Sequence, residues 1–261
     1  MKKLFLFLLS SFVLLPLRAE LSFPERKALA EKGDIIEQFE VGVCYAKGEG
    51  VAKDYQKAVY WWKKAAEKGN FDAQNSLGVC YNNGKGVAKD YQKAVYWFKK
   101  AAEQGHAKAQ FNLGSCYYNG EGVTQDYQEA VYWWKKAAEQ GVAYAQFGLG
   151  NCYYYGEGIA KSHKQAVYWF RKAAEQGDAD AQLGLGLCYT KGHGVAKDNQ
   201  QAVYWYRKAA EQGDAKAQLG LGVCYYYGEG IAKNRKQAVY WWKKAAEQGN
   251  FWAKIFLFLS K

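Results

Sequence analysis

Six cysteines, Cys44, Cys80, Cys116, Cys152, Cys188 and Cys224, carry the most reactive side chains in the sequence. An even number invites a disulfide framework or a thiolate metal site. The spacing points elsewhere, because each lies 36 residues from the next. Equivalent places on stacked helices stand roughly 8–10 Å apart, and a disulfide wants Cα atoms within about 7 Å. The expectation is six buried, reduced thiols packed as small apolar groups, with no disulfide. His106, His163 and His193 fall at unlike places in that period and show no HExxH or paired spacing. They read as plain surface residues rather than metal ligands. A serine hydrolase of the Ser-x-x-Lys type finds no support. Ser76, Ser115 and Ser162 are followed three residues on by Val79, Tyr118 and Gln165, and Ser162 with Gln165 reads as a helix capping box. No catalytic residue, metal or cofactor is expected.

The elements that would carry these side chains are set by the stretch DYQKAVYWWKKAAEKG, Asp54 to Gly69, which returns five times at the same interval. Each copy opens on a side chain that can cap a helix (Asp54, Asp90, Asp126, Ser162, Asp198, Asn234) and closes on Gly, the residue that turns left-handed past a helix end at least cost. A sustained period of this length means an array of stacked units. The domain organisation follows: a partial N-terminal repeat over 20–33, six repeats (34–69, 70–105, 106–141, 142–177, 178–213, 214–249) and a C-terminal capping helix over 250–261.

In the second repeat a first helix is expected over about Asp72–Asn83, with Ala73, Leu77, Cys80 and Tyr81 on one apolar stripe. Gly78 and its counterparts Gly42, Gly114, Gly150, Gly186 and Gly222 lie mid-helix, at a cost of up to ~1 kcal/mol relative to Ala. The repetition points to close backbone approach by a neighbouring helix. The turn Gly84-Lys85-Gly86 follows a helix, so it is no phosphate loop. The second helix presents Ala94, Phe98, Ala101 and Ala102. The aromatic ladder (Tyr60, Trp61, Trp62; Tyr96, Trp97, Phe98) reads as core rather than as a base-stacking platform, and stacking of units supplies the burial.

Met1–Ala19 has the layout of a secretory signal peptide: Lys2 and Lys3, an apolar run Leu4–Leu17, then Ala19 before Glu20. That run includes Pro16 and falls short of the roughly 20 apolar residues a spanning helix needs. Export without stable membrane insertion, to the periplasm or the medium, is therefore expected. The formal charge of +11 drops by 3, to +8, when Lys2, Lys3 and Arg18 leave. The remaining Lys residues recur beside acids, as Lys63 and Lys64 beside Glu67, which reads as a solvated helix face and not as a nucleic-acid footprint.

The run AQNSLGVCYNNGKGVAKDYQKAVYWFKKAAEQG resembles the Sel-1-like repeat, a relative of the tetratricopeptide repeat. The resemblance covers 34–249, six times over. It implies an all-α, right-handed α-solenoid superhelix of helix-turn-helix repeats, first helices lining the concave side, serving as an adaptor or scaffold for proteins. An exported subgroup, the cysteine-rich proteins of Helicobacter, is linked to penicillin binding and slow β-lactam hydrolysis, which gives the alternative reading of a penicillin-binding protein or slow β-lactamase. That subgroup's disulfides would fall at positions like Ala66 with Gln74, or Ala102 with Gln110, where this chain has no Cys.

Comparison of the six units separates fixed positions from drifting ones. The drifting set on the first helix includes Asn112, Ser115 and Asn119; Asn151 and Tyr155; Leu187 and Lys191; Val223 and Tyr227. With the small Gly148, Gly184 and Gly220, these residues predict a recognition face for a protein or peptide, roomiest toward the C-terminal half. The last helix is greasy where caps are usually polar. Trp252, Phe256 and Leu259 are therefore expected to make a contact there, self-association included, with Leu257 and Phe258 covering open core in the alternative reading.

Overall fold

A computed structural model describes residues 21–260; the expected signal peptide, 1–19, lies outside the described residues. These contain fourteen α-helices and no strand, the content of an all-α solenoid. They are α1 Phe23–Glu31, α2 Ile35–Lys47, α3 Tyr55–Glu67, α4 Phe71–Asn83, α5 Tyr91–Glu103, α6 Ala107–Asn119, α7 Tyr127–Glu139, α8 Ala143–Tyr155, α9 His163–Glu175, α10 Ala179–Lys191, α11 Asn199–Glu211, α12 Ala215–Tyr227, α13 Arg235–Glu247 and α14 Phe251–Leu259. The chain forms two compact units. The first reaches Leu113 and includes Glu121–Thr124; the second comprises Gly114–Gly120 and the chain from Gln125 onward.

Helix starts follow from local chemistry. Asp54, Asp90, Asp126, Ser162, Asp198 and Asn234 each accept an amide hydrogen bond from the first turn of the second helix they precede, so donors that would otherwise go unsatisfied find partners. Helix α4 begins one residue before the expected Asp72, because Asn70 caps it through Ala73 N–H. First helices stop at a left-handed Gly, Gly84 for α4 and Gly192 for α10.

Packing within each unit rests on two adjacent aromatics of the second helix that go separate ways. Phe170 seats on Gly150 of its own repeat, and Tyr206 on Gly186; a Cβ at either glycine would lie 2.6 Å from the ring. The close approach inferred from the mid-helix glycines is thus made by a ring, not by backbone. The other aromatic, such as Trp205 or Trp241, joins the buried cluster of the preceding repeat. One ring closes the hairpin and its neighbour ties hairpins together, which gives the array its nearest-neighbour coupling. The tyrosine before each pair departs from the core reading. Tyr60 and Tyr96 are about half exposed, at 54% and 51%, with the ammonium groups of Lys64 and Lys100 4.6 and 4.9 Å from their ring centroids. They project on the far side of the helix, where a cation can sit over the ring.

Six buried glutamines cross-brace successive hairpins. Gln74 Nε2 donates to Ala66 O at 3.1 Å and Gln110 Nε2 to Ala102 O at 3.1 Å, and Gln38, Gln146, Gln182 and Gln218 do the same eight residues back. Gln74, Gln146, Gln182 and Gln218 in turn accept from a glutamine 30 residues on. The positions that would hold a disulfide in the cysteine-rich subgroup are therefore joined here by side-chain hydrogen bonds.

Candidate functional site

The second unit carries a groove along the first helices α8, α10 and α12 and the terminal α14, in two adjoining chambers. One has a volume of about 570 Å³ and is lined by Asn151, Tyr154, Tyr155, Gly184, Leu187 and Lys191 among others. The second, about 380 Å³, is lined by Leu183, Leu219, Gly220, Val223, Trp252 and Phe256 among others. Leu183, Leu187 and Lys216 line both. The glycines set the depth. A side chain at 184 or 220 would stand over Phe170 or Tyr206 at an ordinary 3.5 Å, so its absence leaves room above the ring rather than relieving a clash.

Of the residues expected to recognise a partner, Asn151, Tyr155, Leu187, Lys191 and Val223 line this groove, joined by Trp252 and Phe256. Phe256 stacks on Trp242, with ring centroids 4.9 Å apart and planes at 22°. Asn112 lies elsewhere, in the first unit, where it donates to Asn75 at 3.0 Å. Ser115 is half-buried and Asn119 exposed, and neither lines these chambers. Tyr227 (58% exposed) and Leu259 (69%) also lie outside them. Phe258, expected to cover core, is 74% exposed; Leu257 does pack against the core.

Sequence reasoning passed over Asp180 and Lys216, which line the groove one helical turn before Gly184 and Gly220. The signal was present: that column reads Tyr144, Asp180, Lys216, Trp252 and drifts as much as the columns singled out. Also missed were the rim hydroxyls. Tyr118 donates to Glu157 at 2.8 Å, and Thr190 bonds Gly186 O and the Tyr206 hydroxyl, both at 2.9 Å.

The histidines need correction. His163 and His193 stack, centroids 4.5 Å apart and planes within 3°, and Tyr154 hydroxyl meets His193 Nδ1 at 2.9 Å. The cause is Gly194, which packs on the His163 carbonyl and so lays the turn over the start of α9. Burial, then His193, then Lys161 push the His163 pKa down. Parallel rings aim their in-plane lone pairs side by side rather than at one point, which suits stacking better than joint ligation of an ion. His106 contacts Asp72 at 3.2 Å and caps α6 through Ala109 N–H. No group of three or more His, Cys, Asp or Glu side chains among the described residues could hold a metal.

All six cysteines are buried thiols. Burial pushes Cys80, Cys188 and Cys224 up to about 11 and Cys152 up to about 12, which leaves little thiolate at neutral pH. Iodoacetamide is therefore expected to label the native chain slowly and all six thiols after denaturation without reductant. Mass spectrometry counts the adducts, and a missing pair would mean a disulfide.

A family model described as the Sel1 repeat matches residues 38–70, 71–106, 107–142, 143–178, 179–214 and 215–250. Among solved structures, the chain is similar to c5321, a protective antigen of uropathogenic Escherichia coli displaying an SLR fold. Identity is 40% and the TM-score 0.86, over 90% of this chain and 50% of that one, so the chain spans half the length of that protein. A Sel1 repeat protein from Oxalobacter formigenes is 38% identical, with a TM-score of 0.73 over 81% of this chain and 85% of that one. Cysteine-rich protein B of Helicobacter pylori is 28% identical over 51% of this chain and 96% of its own, with a TM-score of 0.42. No curated protein sequence matches the chain.

Proposed function

This chain belongs to the Sel1 repeat family, and we propose that it is a non-catalytic scaffold that binds an extended protein segment along the groove of α8, α10, α12 and α14. Proteins of this family are generally protein-interaction scaffolds, and the present groove supplies the means. The carrying observation is the pair of adjoining chambers over Gly184 and Gly220, walled by residues that differ from repeat to repeat. A fixed core with a varied face is what recognition on a repeat array requires. The proposal includes export, and the leader-like Met1–Ala19 supports it. No helix among the described residues is long and apolar enough to cross a membrane. Self-association through α14 is part of the same proposal, with exposed Phe251, Phe258 and Leu259 as its apolar surface.

The test is cross-linking in intact cells through a photoreactive residue placed at Lys191, followed by identification of the adduct. A protein adduct that disappears in the Gly184→Leu variant is expected. Cross-links to no protein, or to the same proteins whether or not the groove is filled, would overturn the reading. Nitrocefin is expected to pass through purified protein without turnover; hydrolysis that follows the folded monomer would replace this reading with a β-lactam hydrolase.

A further inference from the structure

The two chambers differ in chemistry, and the difference narrows the class of segment the groove takes; this step rests on the reading above. The first chamber offers polar groups from Asn151, Tyr155 and Asp180, the Tyr154 hydroxyl being held by His193. The second is walled by Leu183, Leu219, Val223, Trp252 and Phe256, with Glu229 as its one acid. The hydroxyls at its edge are already committed, Thr190 and Tyr206 to each other at 2.9 Å. An acid placed there would lose its water and face Glu229, whereas a bulky apolar side chain gains against the surrounding wall.

Where the chambers meet, Lys216 is the one charged side chain that lines both. Lys191 borders the first. Among the described residues neither ammonium makes an ion pair. Glu157, the acid in the first chamber other than Asp180, is held by the Tyr118 hydroxyl at 2.8 Å. Lys216 therefore offers a positive charge where the chambers meet, while Asp180 in the first chamber and Glu229 in the second repel an acid placed anywhere but at that junction.

We propose that the groove recognises an extended peptide carrying one large apolar side chain (Phe, Trp, Leu or Met) for the second chamber, with an Asp or Glu within two positions of it to meet Lys216. Extended residues advance about 3.3 Å each, so an acid one or two places away stays within reach of a lysine at the junction. The apolar anchor supplies most of the affinity and the charge pair selects among anchors.

Panning a library of random linear peptides on the purified chain tests this. Enriched peptides are expected to share an apolar residue with an acid within two positions. Lys216→Glu should weaken a synthetic copy of that motif by about tenfold and favour its acid-to-lysine counterpart. Gly220→Leu, which fills the apolar chamber where a Cβ meets only ordinary contacts, should abolish binding with the helical circular dichroism unchanged. Peptides that bind, are lost on Gly220→Leu and carry no neighbouring acid would overturn the inference while leaving the scaffold reading intact. Failure to enrich any peptide sensitive to Gly220→Leu would overturn both.

Discussion

Replacing Trp242 by Ala is expected to cost about 3–5 kcal/mol, the usual range for truncating a buried large aromatic. Trp242 is fully buried and does three jobs at once. Its ring seats on Gly222, where an added Cβ would collide with it. Its Nε1 donates to Leu219 O at 3.3 Å, and its outer face stacks on Phe256. Because repeat arrays couple only neighbours, the loss is expected at the C-terminal end. Hydrogen exchange of α12, α13 and α14 should accelerate well before that of α8. Urea unfolding gives the size of the effect and exchange gives its place. A uniform acceleration across α8–α14 would mean that the unit unfolds as a single block.

The second large effect is a contrast between glycines two residues apart. Gly186→Ala should destabilise by about 1–3 kcal/mol through overpacking, because its Cβ would stand 2.6 Å from the buried Tyr206 ring. Gly184→Ala, on the same helix, meets Phe170 no closer than 3.5 Å. It should stabilise by up to about 1 kcal/mol, since Ala is the better helix former. Denaturant midpoints of the two single variants decide the matter. The same contrast separates the purposes of the glycines: position 186 exists for the fold, whereas position 184 gives up helix stability to keep the groove open.

Much of the architecture is legible in the sequence because its signals are short-range. Caps such as Asp90, the left-handed stop at Gly84, and the stripe of Ala73, Leu77 and Cys80 span at most one or two helical turns. Their return every 36 residues then dictates a stacked array, since no hairpin can bury its own apolar face. The drifting columns located part of the groove in Asn151, Leu187, Lys191 and Val223 on the same basis. What only tertiary structure decided involves partners from about 20 to 40 residues apart, whose meeting depends on how one hairpin settles on the next. Trp97 and Tyr96 are adjacent and alike in composition, yet the neighbouring repeat buries one and leaves the other to water and Lys100. His163 and His193 look unrelated until Gly194 folds the turn onto the start of α9. The joining of two chambers through Leu183, Leu187 and Lys216 is likewise set by the spacing between helices, which side-chain volume fixes and no local pattern encodes.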